Sequence, residues 1–486
     1  MEPQETKFSF IYNEIKQRIL NGQILPGNCL PSSRVLCNQF HVSRYTINCV
    51  FNALKKEGLI EIRPRLAPTV LSNAPYGTEN ILFNTLRKRD SIVQLYQTFA
   101  LILPSLLVFA SENCNLELML HYKQALKVSR LGIAAGGWRP SSDFIKEILE
   151  IGGNSLIGNL YSTFELYHNL SFFTEECPFF LENFLHGSTS VTGIIMDILK
   201  GKDPSVKKKQ LEKLGQRFAD SIANTLNHLV STTPKCPAKS SASFLWRPTR
   251  GKDYFYSRII SDLNQKIGSG EYPYGTFLPH EKQLASQYGV SVFTVRKALD
   301  ELNQRGLVKS LNGKGTMVIE PDDSLVNQIL PKPRRTQEAL QYLYALQLLV
   351  LIIHPVALIV APTFTTKDLD KLDEVFNLPN SIHIIDIFEA ILKHIELQPL
   401  HAILTETFRL TEWGHYIAYY DNKKTVLEKL NKKVAVSVQH LRKGDMNAFA
   451  NGLTDCYRFT LKHAKDYMIK KYKFYRIDYI QIPEMY

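Results

Sequence analysis

The pattern of hydrophobic and polar positions over residues 253–304 predicts three helices. The first, DYFYSRIISDLNQKIGSG, repeats apolar residues at three- and four-residue spacing, which is typical of an amphipathic helix. HEKQLASQYG predicts a short second helix, and Gly289 suits a turn that needs positive φ. Ser291 is placed to cap a third helix. On that helix we expect Val295, Ala298, Leu299 and Leu302 to face inward and Phe293, Arg296, Lys297 and Asp300 to face outward.

Alternating residues after the third helix predict a hairpin. GLVKSLNGKGTMVIE (306–320) contains two alternating runs joined by Asn-Gly, a pair typical of tight turns between strands. Three helices followed by a hairpin form a winged helix-turn-helix. In that fold the third helix enters the major groove of DNA. The hairpin, with Lys314 between two glycines, comes close to the DNA backbone or minor groove.

The same pattern occurs 248 residues earlier in the chain. QFHVSRYTINCVFNALKKEGLI (39–60) aligns with QYGVSVFTVRKALDELNQRGLV (287–308) without a gap. Fainter similarity continues, since QLYQTFALILP (94–104) aligns with YLYALQLLVLI (342–352) and ILKGKD (198–203) resembles HLRKGD (440–445). These matches indicate an internal duplication of a two-domain unit.

The segments outside the winged helices show helical spacing, as in SSDFIKEILEIGG (141–153) and QLEKLGQRFADSIANTLNHL (210–229). A stretch rich in Pro, Ser, Thr and Lys between the two halves predicts a linker. We therefore predict a mainly α chain with two winged helix-turn-helix (α+β) domains and two all-α helical bundle domains. The predicted bounds are 1–72 for the first winged helix, 73–230 for the first bundle, 231–251 for the linker, 252–321 for the second winged helix and 322–486 for the second bundle.

Composition and charge fit a folded protein with a polyanionic partner. The 486 residues are 44% hydrophobic and 21% charged, with a net charge of +12. The seven cysteines lack paired metal-ligand spacing, so free thiols in a reducing cytosol are expected. The N-terminus has no secretory signal pattern. Two apolar runs, 99–110 and 346–361, are shorter than the ~20 residues of a spanning helix and contain proline, so we expect core helices, no membrane partner and a cytoplasmic location.

The second helix-turn-helix contains a set of residues at fixed spacing: Gly275-x-x-Leu278-Pro279, Leu284-Ala285, Val290-Ser291-x-x-Thr294-Val295-Arg296-x-Ala298-Leu299, Leu302, Gly306-Leu307 and Gly313-x-Gly315-Thr316. This set closely resembles the GntR family of bacterial transcription regulators. The first copy matches more loosely, through Gly27, Leu30-Pro31-Ser32, Arg34, Leu36, Val42-Ser43-Arg44-x-Thr46, Leu54 and Gly58-Leu59.

The resemblance implies which residues contact DNA. In that family, contact is attributed to a basic residue opening the second helix, a Ser/Thr-Arg pair opening the third, an arginine one turn later, and the wing. Each copy keeps a different part of this set, because Asn48 replaces the later arginine in the first copy and Val292 replaces the earlier one in the second. One alternative is that one copy has only a structural role. The candidates are Arg34, Ser43, Arg44, Tyr45, Thr46, Asn48, Arg63 and Arg65 in the first copy and Lys282, Ser291, Phe293, Thr294, Arg296, Lys297 and Lys314 in the second.

SDFIKEILEIGGNSLI (142–157) is similar to a stretch that ends in a Gly-Asn helix break. That stretch belongs to the all-helical effector domains of the fatty-acid-responsive GntR branch, which the bundles therefore resemble. Many such domains bind a divalent metal through an Asp and three histidines, and the metal grips a carboxylate ligand. Here the Asp and first His positions fall at Ser141 and Ile145, so neither a metal nor a cofactor is expected. A small apolar or acidic effector would then be held by apolar walls. The aromatic stretch 167–184 either lines such a pocket or simply packs the bundle.

The predicted function is a sequence-specific transcription regulator with both reading heads on one chain. It would act on a double-stranded DNA operator as a monomeric pseudo-dimer or as a homodimer. The alternative is a tandem winged-helix replication initiator or architectural protein that answers to no ligand. Catalysis is not expected, since no Ser/His/Asp, Cys/His or paired-carboxylate pattern occurs, and a second head interrupts the α/β domain of the aminotransferase-like GntR branch.

Overall fold

The computed structural model describes residues 7–20, 24, 27–40, 42–63, 66–71, 78–131, 139–168, 173, 177, 180, 191–238, 244–248, 255–268, 270–320, 333–378, 381–411 and 425–484. The chain divides into two compact units. The first comprises Met1–Gly152, Ile157–Lys252 and Leu397–Pro399, and the second comprises Gly153–Leu156, Asp253–Glu396 and Leu400–Tyr486. Each unit contains one winged helix and the helical bundle that follows it.

The first unit starts with a three-helix head and a small antiparallel sheet and continues into a bundle. Its elements are α1 Lys7–Leu20, α2 Ser33–Phe40, α3 Arg44–Lys56, β1 Ile60–Glu61, β2 Thr69–Val70, α4 Thr78–Arg87, α5 Arg89–Glu112, α6 Tyr122–Leu131, α7 Arg139–Ile151, α8 Ser155–His168, α9 Val191–Leu199 and α10 Pro204–Thr232. A 3-10 turn, Leu116–Leu118, separates α5 from α6. In the sheet, Ile60 lies opposite Val70.

The second unit repeats this plan. Its elements are α11 Phe255–Gly268, α12 Glu281–Tyr288, α13 Val292–Gln304, β3 Val308–Leu311, β4 Gly315–Val318, α14 Pro333–Val360, α15 Thr366–Phe376, α16 His383–Lys393, α17 Gln398–Thr411, α18 Thr425–Arg442 and α19 Met446–Tyr472. The turns Ala361–Thr363 and Tyr475–Ile477 are 3-10 helices. Val308 lies opposite Val318 in the second sheet.

The three helices of the two heads have the same arrangement along the chain. Helices α11, α12 and α13 carry the bounds of α1, α2 and α3 shifted by 248 residues. In the first head, the N–H of Gly27 donates to the carbonyl of Val70 at 2.9 Å, and in the second the N–H of Gly275 donates to Val318 at 2.8 Å. Both glycines have positive φ, +83° and +81°, a conformation that other residues adopt only at a cost. The duplication predicted from the sequence is confirmed for the heads.

Each head is held by the apolar face that the spacing predicted. In the first head the core consists of Ile11, Ile15, Ile19, Leu30, Leu36, Phe40, Ile47, Val50, Phe51, Leu54, Leu59, Ile60 and Val70. The second head buries Ile259, Leu263, Ile267, Leu278, Leu284, Val295, Ala298, Leu299, Leu302, Leu307, Val308 and Val318. All twelve stand 248 residues after a member of the first core, so the same positions exclude water in both heads.

In each bundle a long apolar helix packs along the last long helix, α5 along α10 and α14 along α19. Both apolar helices contain a proline, Pro104 and Pro355. The faint sequence match of ILKGKD with HLRKGD marks the start of the last helix in each bundle. Asp203 caps α10 by accepting from the N–H of Ser205 at 2.8 Å, and Asp445 caps α19 by accepting from the N–H of Ala448 at 2.9 Å.

By length and composition alone, two helical stretches suffice to cross a membrane, Arg89–Glu112 and Thr336–Thr363. Their most apolar windows are 67% and 83% buried inside the protein. Such burial is typical of core helices, as the sequence analysis expected.

The described part of the predicted linker packs against the first bundle. Phe244 and Trp246 are each only 1% exposed. The indole N–H of Trp246 donates to Asn159 Oδ1 at 2.9 Å, and the Phe244 ring meets the Tyr167 ring edge-on at 5.5 Å between centroids. Two aromatic side chains therefore anchor a segment whose composition predicted a linker.

Glycine 215 permits the close approach of α10 to α5. A Cβ at this position would lie 3.0 Å from the Cα of Ala100, so Gly215→Ala has to push two helix backbones apart. We expect this substitution to lower the free energy of unfolding by about 1–3 kcal/mol, measured by urea denaturation followed by circular dichroism.

The matched control is Gly158→Ala on α8. There the new Cβ would meet Glu150 Cγ at 2.8 Å, but that side chain is 55% exposed and can turn away. Because alanine favours helix over glycine, this variant should be neutral or more stable by up to about 1 kcal/mol. Equal destabilisation by both variants would contradict the close-approach explanation.

Candidate nucleic-acid interface

The third helix of the first head begins at a serine cap. Ser43 Oγ accepts from the N–H of Thr46 at 3.3 Å and lies 3.1 Å from Thr46 Oγ1. Ile47 and Leu54 are buried, which leaves the opposite face to solvent. Arg44 and Asn48 are exposed there, and Tyr45 is 78% exposed. The start of α3 therefore offers N–H groups, hydroxyls, a cation and an aromatic ring to an external partner.

The third helix of the second head begins in the same way. Ser291 Oγ accepts from the N–H of Thr294 at 3.2 Å and lies 2.8 Å from Thr294 Oγ1. Gly289, at the end of α12, has φ +62° as the turn requires. Phe293 is 76% exposed, at the position equivalent to Tyr45. The inward and outward sets predicted for α13 agree with its burial, since Val295, Ala298, Leu299 and Leu302 are buried.

Arg296 lies on the exposed face of α13 and is held by a carboxylate. Its Nε donates to Glu281 Oε2 at 2.7 Å, while the arginine side chain stays 63% exposed. Because Nε donates this bond, the two terminal amino groups of Arg296 do not take part in it. A guanidinium held in this way keeps the paired donors that match guanine O6 and N7. In the first head, Ser33 and Asn48 stand at the equivalent positions, so both partners are replaced together.

Other cations surround the two third helices. Arg34 and Lys282 are exposed at the second position of α2 and α12. Lys297 is exposed, and its ammonium lies 4.4 Å from the centroid of the Tyr256 ring. A helix N-terminus with nearby cations suits phosphate, because both carry positive potential toward the anion.

The two wings differ. In the second head Lys314 is exposed in the turn of the hairpin, between Gly313 with φ +73° and Gly315 with φ +107°. In the first head Arg63 is exposed and pairs with Glu61 at 2.9 Å, and the hydrogen bond to Glu61 raises the pKa of Arg63. Arg65 lies outside the described residues.

Glu281 and Tyr256, the partners of Arg296 and Lys297, were not predicted from the sequence. Both stand on other helices than their partners, so no spacing along the chain connects the pairs. One signal was present for Glu281. A carboxylate directly before Lys282 in a surface that meets phosphate is unfavourable on charge alone, so it needs a separate role.

A metal site is not formed by the described residues, among which no group of three or more His, Cys, Asp and Glu side chains is placed to hold an ion. Ser141 and Ile145, where the resemblance places two metal ligands, offer a hydroxyl and an aliphatic side chain. These residues do not fit a divalent metal.

In comparisons with known proteins, one family model matches each of the two heads. The sequence model of bacterial regulatory proteins of the gntR family matches residues 7–70 and again residues 255–318. The chain is 36% identical over 78 residues to the histidine utilization repressor of Klebsiella aerogenes, covering 16% of this chain and 32% of the relative. It is 41% identical over 66 residues to the HTH-type transcriptional repressor NagR of Bacillus subtilis, covering 14% and 27%. The chain thus spans about a third or less of the length of these relatives.

Among solved structures, E. coli McbR/YncC shares 15% identity at a TM-score of 0.24, over 44% of this chain and 98% of that one. Streptococcus agalactiae GntR shares 18% identity at a TM-score of 0.20, over 43% and 99%. Scores this low say nothing further about the fold. The two matched segments coincide with the two heads, so the chain contains two helix-turn-helix domains of the type found in bacterial regulatory proteins of the gntR family.

Proposed function

We propose that the chain is a sequence-specific, DNA-binding transcription regulator with two unlike reading heads on one polypeptide. It acts in the cytoplasm as a pseudo-dimer, alone or as a homodimer, and a small molecule controls it. The observation that carries the proposal is the matched start of α3 and α13. Each helix begins at a serine cap and exposes an aromatic ring, and each has a cation on its outer face. Such a surface suits phosphate contacts and base contacts in a major groove.

Control of the heads by the bundles is supported by an electrostatic interaction between head and bundle in the first unit and by an ion pair between them in the second. In the first unit, the positive charge of Arg18 on α1 acts on the carboxyl of Glu165 on α8. In the second unit, Arg305 at the end of α13 lies 3.7 Å from Glu338 on α14. A change in the second bundle can therefore reach a helix of its own head through a pair of opposite charges, and a change in the first bundle can reach its head through the Glu165 carboxyl.

The heads should select different bases, because Arg44 is opposite Val292 and Asn48 opposite Arg296 in the alignment of the two copies. Selection of binding sites from random double-stranded DNA with the full chain is expected to return two unlike half-sites. Arg44→Ala should relax preference at one half-site only, by a factor of about 5–150. Binding should weaken with salt by about one unit of log–log slope per phosphate neutralised.

Two results would contradict this proposal. If only perfect palindromes are recovered, the two heads do not select different bases. If the affinity for selected DNA equals that for random DNA, the chain is not a sequence-specific regulator.

A further inference from the structure

The first bundle contains a cavity of about 140 Å³ between α5, α7, α8, α9 and α10. Its walls are mostly aromatic and aliphatic. Phe99 and Phe164 stack at 3.9 Å between ring centroids, and Tyr96 packs on both Phe164 and Phe218. The cavity is only partly enclosed. A small molecule can therefore reach walls that otherwise pack ring against ring.

The polar groups at the cavity are few and uncharged. Ser141 and Thr192 bond to each other through their hydroxyls, and Tyr96 and Tyr161 add two phenol groups. None of the described residues that line the cavity is Asp, Glu, His, Lys or Arg. A charged ligand would lose its hydration here without gaining a partner, which is strongly unfavourable. Since Ser141 and Ile145 both line this cavity, the carboxylate-gripping metal of the resembling domains has no counterpart in it.

We propose that this cavity binds an uncharged apolar molecule about the size of one aromatic ring, with one hydrogen-bonding group directed at Ser141 and Thr192. The size follows from comparison with a known case, since an apolar cavity of about 150 Å³ in another protein stays dry and binds benzene. The hydroxyl pair is the polar end, because a phenol or alcohol group can join a hydroxyl–hydroxyl hydrogen bond as donor and acceptor.

The cavity is connected to the first head through Tyr161. The Tyr161 hydroxyl bonds to Ser142 and to Glu165, and Glu165 lies near Arg18 of α1. A ligand that displaces the Tyr161 ring therefore disturbs the Glu165 carboxyl, on which Arg18 of the head acts electrostatically. This consequence rests on the proposed function, whereas ligand binding itself does not.

The test uses the full chain without DNA and three probes of similar shape: phenol, benzene and benzoate. We expect phenol and benzene at ten times their Kd to raise the unfolding temperature by about 3 °C, and benzoate at the same concentration to leave it unchanged. Ile195→Phe, which fills the cavity, should abolish the shift. Ile198→Phe, on the same helix but outside the wall, should retain it.

Ser141→Ala keeps the test decisive if Ile195→Phe does not fold. In the parent, phenol should have a lower Kd than benzene because only phenol bonds to the hydroxyl pair, and Ser141→Ala should lose this preference. A shift by benzoate, a shift retained in Ile195→Phe, an unchanged preference in Ser141→Ala, or no shift with any probe would each overturn the proposal. Affinity for DNA, measured separately by fluorescence anisotropy, tells whether the proposed function fails instead.

Discussion

Replacing Arg296 by alanine is expected to weaken binding to the selected operator by about 1–3 kcal/mol, or roughly 5- to 150-fold. The reason is geometric. Glu281 fixes the guanidinium through Nε at 2.7 Å, which leaves the paired terminal donors for the edge of a guanine. The loss should be confined to one base pair of one half-site. Fluorescence anisotropy with operators changed one base pair at a time measures this directly.

Variants of Glu281 distinguish base recognition by Arg296 from simple charge attraction to DNA. If the carboxylate positions Arg296, Glu281→Ala should reduce discrimination at the same base pair as Arg296→Ala. It should also strengthen binding to random DNA, because one negative charge leaves the surface. Glu281→Gln keeps an acceptor for Nε and should retain most of the discrimination.

The control is Asn48→Ala in the first head, at the position equivalent to Arg296. This variant should leave the preference at the base pair assigned to Arg296 unchanged. If Arg296→Ala also leaves the operator preference unchanged, Arg296 does not read a base.

The heads were predictable from sequence because local rules decide their structure. Ser43 and Ser291 cap helices through bonds to residues three positions on, and Gly289 takes positive φ at the turn that precedes Ser291. The inward face of α13 follows from apolar spacing alone. These features depend on neighbours within about one helical turn, so the local sequence is enough to predict them.

The features that sequence analysis missed depend on contacts between elements. Glu281 meets Arg296 across two helices, and Trp246 reaches Asn159 from a segment with no apolar period. The cavity in the first bundle is a further case, because its volume depends on the packing of five helices. Aromatic content predicted only that stretch 167–184 lines a pocket or packs a core, and Phe180 is the one described residue of that stretch on the cavity wall.

Glu165 is expected to make the stability of the first unit fall as pH rises. The side chain is partly exposed, but its Oε1 is fully buried and has no hydrogen-bond partner among the described residues. The pKa of Glu165 is raised from 4.5 to about 8, chiefly by burial and also by the charge of Asp143, while Lys146, Arg18 and the hydrogen bond from Tyr161 lower it. The folded protein therefore holds this proton at pH values where the unfolded chain releases it.

The sign of the effect follows from proton binding. Between pH 4.5 and about 8 the folded state binds more protons at Glu165 than the unfolded state, so stability declines with pH over this window. At about 1.4 kcal/mol for each pH unit the decline is at most about 5 kcal/mol, and chain relaxation around the charged carboxylate reduces it to between about 2 and 5 kcal/mol.

Glu165→Gln removes this titration and keeps the shape of the side chain. We expect the variant to equal the parent near pH 5 and to exceed it in free energy of unfolding by about 2 kcal/mol or more at pH 8.5. Urea denaturation at both pH values measures the difference. Glu150→Gln, an exposed carboxylate on α7, is the control and should follow the parent at both values. If Glu165→Gln also follows the parent, Glu165 is charged in the folded protein, and the path from the cavity through Tyr161 to Arg18 then has a carboxylate at its centre.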